Sequence, residues 1–191
     1  MKNLLAVLLI TIFATAVGAA DIGDDGLHKT SWMRDTFKDL SEDLEEANGL
    51  GKRFAIIFEQ RGCVYCTKMH NEVFPRPEIS SYLQENYFVV QLNLYGDVEV
   101  IDFDGEALSE KEIAQKWGVL FTPTMLFLPE EIDAGRSAIH QAVAVMPGAF
   151  QKGTVFDMLT WVNDKHYESD RSGFQRYHSK RIQQRRDGST D

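Results

Sequence analysis

The sequence predicts an α/β domain in which buried strands alternate with amphipathic helices. Three observations carry that expectation. Residues 54–58 (FAIIF) and 87–94 (YFVVQLNL) are short β-branched and aromatic runs of the kind that fill buried strands. Polar segments with apolar residues at helical spacing lie between and around them. The only two cysteines stand together as Cys63-Val64-Tyr65-Cys66, directly after Gly62 breaks the first run.

In the first turn of a helix, unpaired N–H groups and the positive dipole end stabilise a thiolate at Cys63. The spacing also puts both sulfurs on one side of that turn, within bridging reach. This favours a redox-active disulfide, Cys63–Cys66, over two alternatives. A structural zinc needs about four ligands, and the rest of the set would have to come from His70 and a distant histidine. A static bridge closing so short a loop adds little stability.

From its start, the chain has Met1-Lys2, an uncharged apolar run over residues 4–17, and Gly18-Ala19-Ala20. That pattern predicts a signal peptide, residues 1–20, cleaved after Ala20; the run is too short to span a bilayer, and an uncleaved anchor is the alternative. The expected location is the periplasm. A formal net charge of −9 argues against nucleic-acid binding and for a freely diffusing monomer. A single cysteine pair in an exported chain points to thiols used for exchange.

Residues 21–30 are polar and Gly-rich and are expected to be a flexible lead-in to a domain spanning residues 31–166. A helix over residues 32–47 is expected from the stripe Trp32, Phe37, Leu40 and Leu44, capped by Thr30 or Ser31 and stopped at Asn48-Gly49. After the cysteine helix, Pro77 starts a short helix over 78–84, and the strand at 87–94 follows. Residues 98–103 and Asp104-Gly105 read as a hairpin. Ser109 and Glu112 form a capping box for a helix ending at Gly118. Strands are expected over 124–128 and 138–145, and a last amphipathic helix over 154–165. The polar, locally basic tail, residues 167–191, lacks a sustained apolar stripe and is expected to be disordered.

This element order, with CxxC after the first strand, resembles the thioredoxin fold. The resemblance implies a central mixed sheet flanked by helices on both faces. It also places Thr122-Pro123 at the family's cis-proline, in the loop that offers backbone to the substrate chain. FEQRGCVYCTKMH, the Asp-Phe-Asp-Gly hairpin, Phe121-Thr122-Pro123-Thr124 and Met146-Pro147-Gly148 are similar to periplasmic thioredoxins of sulfur-oxidation gene clusters, the SoxW type. That family usually has Cys-Pro-Tyr-Cys; here Val64 replaces the proline.

The chemistry expected is thiol–disulfide exchange, with Cys63 attacking and Cys66 resolving. Val64, Tyr65, Thr122 and Pro123 are the expected substrate contacts. Thioredoxins carry a buried aspartate six residues before the first cysteine, but Ile57 stands there. Glu59 points to the same strand face and is the candidate base for Cys66, with a solvated strand-end glutamate as the alternative. His70 reads as a surface or helix-packing residue, and Trp117 and Trp161 as core. The site is expected to need no further cofactor and no metal. The resemblance implies disulfide-bearing periplasmic proteins as substrates and a membrane dithiol electron donor. An oxidase or isomerase, or a metal-binding module using Cys63, Cys66 and His70, are the alternatives; a dimeric isomerase would need a dimerisation domain that residues 21–49 are too short to make.

Overall fold

A computed structural model describes residues 20–169 and 172–188. The expected signal peptide therefore lies outside the described residues, apart from Ala20. Among the described residues, no helix is long and apolar enough to cross a membrane.

The core element is β4 (Arg53–Glu59), flanked in a five-stranded mixed sheet of order β3-β5-β4-β8-β9. Here β3 is Met33–Arg34, β5 Tyr87–Asn93, β8 Thr124–Phe127 and β9 Ala144–Pro147. β3, β5 and β4 run parallel, while β8 and β9 are antiparallel to their neighbours. Two short ribbons lie outside the sheet: β1 (Asp21–Ile22) with β2 (His28–Lys29), and β6 (Glu99–Ile101) with β7 (Ala107–Ser109).

Strand alternation divides the core into two layers, because successive side chains leave opposite faces of a sheet. Phe54, Ile56 and Phe58 pack with Phe88, Val90, Leu92 and Leu126 beneath α1 (Leu40–Gly49) and α4 (Glu110–Trp117). Ala55 and Ile57 pack with Tyr87, Val89, Met125 and Phe127 on the other side. There α3 (Pro77–Asn86), α5 (Lys152–Asn163) and Met69 and Val73, which follow α2 (Val64–Lys68), cover the sheet. Burial on both faces explains why these strands read as unbroken apolar runs. The 98–105 hairpin, the Ser109–Glu112 capping box and Pro77 at the start of α3 stand as the sequence indicates.

Four expectations are corrected. The first helix does not begin at Trp32: Lys38 has φ of 60°, outside the helical region, and Asp39 caps α1 through the amides of Ser41 and Glu42. Trp32 is instead buried in the core, and Met33–Arg34 adds an edge strand beside β5. The lead-in at 21–30 is tied down, since β1 pairs with β2 and both Leu27 and His28 are buried. The strand expected over 138–145 is a 3₁₀ turn at Ala138–His140, with β9 starting only at Ala144.

The fourth correction concerns the tail, which is helical where described: α6 (His166–Ser169) and α7 (Gly173–Arg186). Phe174, Tyr177, His178, Arg181 and Arg185 recur at helical spacing on one face of α7. That stripe mixes aromatic and charged residues, so it does not stand out as apolar. Phe174 and Tyr177 pack against the core layer containing Trp161. The charged members converge on Asp157 of α5, which is fully buried. Arg185 donates two hydrogen bonds to its carboxylate, both 2.8 Å, and His178 Nδ1 lies 2.6 Å from Oδ2.

On the opposite side, α1 turns Asp43 inward, where Thr36 Oγ1 donates to it at 3.0 Å. Burial, opposed by that bond and reinforced by Glu46, Asp39 and Glu42, pushes the Asp43 carboxyl from 3.8 up to about 6. The folded chain therefore binds this proton more tightly than the unfolded one, and stability falls as pH rises through that interval. Asp43→Asn is expected to raise the melting temperature at pH 7 and to leave it unchanged below about pH 4. A melting curve across pH with no difference at neutral pH would show that the buried carboxylate carries no penalty.

Candidate functional site

The two cysteines sit where β4 hands over to α2. Gly62 takes φ of 71°, a left-handed conformation that favours glycine, and Cys63 becomes the N-cap of α2. Cys63 and Cys66 form a disulfide with Cα atoms 5.2 Å apart, inside the ordinary span for a bridge. The Cys66 amide donates to Cys63 Sγ at 3.0 Å, as a capping bond does to a side-chain oxygen. Thr122 Oγ1 donates to the same sulfur at 3.3 Å. Both donors favour negative charge on Cys63 when the pair is reduced.

Exposure separates the two sulfurs only slightly: Cys63 is 6% exposed and Cys66 0%. The residues around them differ far more. Val64 and Tyr65 project from the motif, and Leu120 and Phe121 are exposed just before the Thr122-Pro123 bond, which is cis. The structure thus brings Cys63 and Thr122 together and leaves Val64 and Tyr65 open to a partner chain. Trp117 and Trp161 are core residues, as expected, with Trp117 Nε1 donating to Asp102.

Glu59 departs from the solvated alternative: it ends β4 fully buried. His70 is equally buried rather than on the surface, and its Nε2 lies 2.8 Å from Glu59 Oε1. It reaches Glu59 from a wide π-helical turn, Met69–Val73, that follows α2; the Phe74 amide bonds back to Met69 O at 2.9 Å. Gln91 Nε2 donates to Glu59 Oε2 at 2.6 Å and to the His28 carbonyl at 2.8 Å. The His28 ring stacks on His70, with centroids 4.3 Å apart and planes 7° from parallel. Burial holds the His28 imidazole below its ordinary pKa, and the neighbouring His70 adds to this against a smaller opposing effect of Glu59.

Sequence reasoning reached Glu59 but missed His28 and Gln91. Gln91 did carry a signal, being an uncharged polar residue inside an otherwise apolar strand run. His28 carried none, since it lies in a short polar, Gly-rich segment without strand or helix periodicity.

The candidate ligand atoms of His28, Glu59 and His70 lie within 4.8 Å of one another, which raises the question of a metal. An imidazole binds a metal through a lone pair in its ring plane. Two stacked, nearly parallel rings keep those lone pairs in separate planes, so one ion cannot lie in both. Glu59 Oε1 also occupies the Nε2 position of His70. The group fits a hydrogen-bonded proton network better than a metal centre.

No curated protein matches the chain. Solved structures do. A thioredoxin-fold protein from Helicobacter pylori is 18% identical, with a TM-score of 0.52 over 84% of this chain and 91% of its own. A thioredoxin from Thermus thermophilus is 21% identical, with a TM-score of 0.48 over 65% of this chain and 83% of its own. Identities this low speak to fold alone, and the first agrees with the mixed sheet and two helical layers described above. The sequence itself supplies the rest, because a family model for thioredoxin-like domains matches residues 40–135, taking in β4, the cysteine pair and the Thr122-Pro123 loop. By strand order, by the bridged CxxC at the end of the central strand and by that match, the chain belongs to the thioredoxin-like domain family.

Proposed function

We propose that this chain is an exported thiol–disulfide oxidoreductase that reduces disulfides of periplasmic client proteins. The observation that carries the exchange chemistry, whichever way electrons flow, is the pair of donors on Cys63 Sγ, from the Cys66 amide and the Thr122 hydroxyl. The Cys63 thiolate attacks a client disulfide and expels one client sulfur as thiolate, forming a mixed disulfide beside Thr122-Pro123. Cys66, relieved of its proton, attacks Cys63 Sγ, closes the bridge and releases the second client sulfur. The client gains two electrons and the dithiol loses two. Val64 and Tyr65 contact the client, and Glu59 is the buried group that drives proton removal from Cys66. The redox-active disulfide is the whole prosthetic apparatus, and the protein works as a monomer.

A reductant in an oxidising compartment must be recharged, so a membrane dithiol carrier is the proposed donor. The likeness to the SoxW type makes proteins of sulfur oxidation the proposed clients. The direction of flow rests on Val64 and Tyr65, which place no cation between the cysteines. Without one, stabilisation of the Cys63 thiolate is limited and the disulfide form is comparatively stable. A glutathione redox titration is expected to give a potential of about −200 to −270 mV. A value above about −150 mV would instead favour a disulfide oxidase.

A further inference from the structure

His70 has two ring nitrogens in different situations. Nε2 faces Glu59 Oε1 at 2.8 Å, whereas Nδ1 is buried and makes no hydrogen bond to any described residue. With the Glu59 carboxylate ionised, Nε2 carries the ring proton and Nδ1 keeps a bare lone pair. Such a buried acceptor left without a partner is costly unless it has a use. His70 follows Cys66 by one helical turn, and both are fully buried.

Building on the oxidoreductase reading, we propose that His70 Nδ1 is the proton acceptor for Cys66, directly or across one water, and that Glu59 is a positioning residue acting through His70. In the resolving step the Cys66 S–H proton moves to Nδ1, and the imidazolium formed is balanced by Glu59. The Cys66 thiolate then attacks Cys63 Sγ, the mixed disulfide breaks, and the departing sulfur leaves with the electron pair. The proton returns to solvent as the ring is reset. Gln91, itself held by Lys29 Nζ at 2.8 Å, fixes the second Glu59 oxygen, so the carboxylate cannot swing away from His70. The other faces of the ring are covered by His28, Trp32 and Phe74. Among the described residues, Glu59 and His28 are thus the titratable groups in contact with His70, and Lys29 is a cation linked to the network through Gln91.

The test uses the reduced protein and an aromatic disulfide, dithiobis(nitrobenzoate), by stopped flow. Attack by Cys63 releases the first thionitrobenzoate, and attack by Cys66 the second. His70→Gln retains a donor toward Glu59 and removes the Nδ1 acceptor. The first release should be unchanged, and the second slowed about 100-fold at pH 7. The second release in the variant should climb with hydroxide concentration toward the wild-type rate, while the wild type stays flat over the same range. Parallel pH profiles for the two proteins would overturn the proposal. Nitrogen-15 spectra of the reduced wild type give an answer that needs no variant: protonated Nε2 and bare Nδ1 are expected, and the reverse tautomer overturns the assignment. A wild type that releases no thionitrobenzoate at all would instead sink the oxidoreductase reading, and this proposal with it.

Discussion

Cys66→Ser should accumulate covalent complexes with disulfide-bearing partners, and Cys63→Ser should accumulate none. The asymmetry follows from where the sulfurs sit. Cys63 is the N-cap residue, receives the Cys66 amide and the Thr122 hydroxyl, and borders the exposed Val64 and Tyr65. Cys66 is fully buried inside the first turn. Under the proposed function a client disulfide is attacked by Cys63, the cysteine beside the open Val64 and Tyr65. Removing Cys66 leaves that first exchange intact and abolishes the second, so the mixed disulfide persists. The effect is close to all-or-none, and non-reducing gels after acid quenching read it directly. Comparable trapping by both variants would mean that the attacking and resolving roles are not divided in this way.

The second large effect concerns stability. Asp157→Asn should lower the melting temperature by about 10 °C, from a loss of about 3 kcal/mol at a buried, multiply bonded carboxylate. Asp157 is fully buried and takes hydrogen bonds from α7 through Arg185 and His178. Burial alone would raise its pKa; the bonds from Arg185 and then His178 outweigh that and hold it below 3.8. A depressed folded value means the stabilisation is complete above about pH 3.8 and fades as pH falls through the folded value. The variant should therefore lose most at neutral pH and converge with the wild type in acid. Limited trypsinolysis gives a second readout, because α7 carries Arg176, Lys180, Arg181, Arg185 and Arg186. These sites should be cut first in the variant. Unchanged melting and unchanged protection would show that the Asp157 charge does not hold α7 in place.

The fold was legible in the sequence wherever a single strand or helix declares itself by its own periodicity. β4, β5 and β8 are buried on both faces, and their apolar runs can be read without knowing their neighbours. α4 declares itself through Ser109, Glu112 and Gly118. What was not legible depends on distant partners. Trp32 and Phe37 share a helical spacing with Leu40 and Leu44, yet Trp32 is buried beside Phe74 while Phe37 is fully exposed. Lys38, turned into the left-handed region, separates both from the helix that starts at Leu40. α7 is polar until Asp157 is placed beneath it. The site divides in the same way. Cys63 and Cys66 follow from motif and spacing, and the Thr122-Pro123 loop from the family resemblance. The burial of Glu59 follows only once Gln91 and His70 are brought to it from β5 and the wide turn.

That wide turn also dictates how the motif tolerates length changes. Up to Lys68 the helix keeps α geometry, and within Met69–Val73 it winds more loosely, so the segments on either side are out of phase. Excising Pro75 or Arg76 should spare the pairing of His70 with Glu59, because both lie beyond Phe74, whose amide closes the wide turn. Excising one residue between Cys66 and His70 would rotate the imidazole by about 100° around the helix axis and point it away from Glu59. The count of residues separating Cys66 from His70 is therefore part of the site, as binding as the identities of the residues themselves.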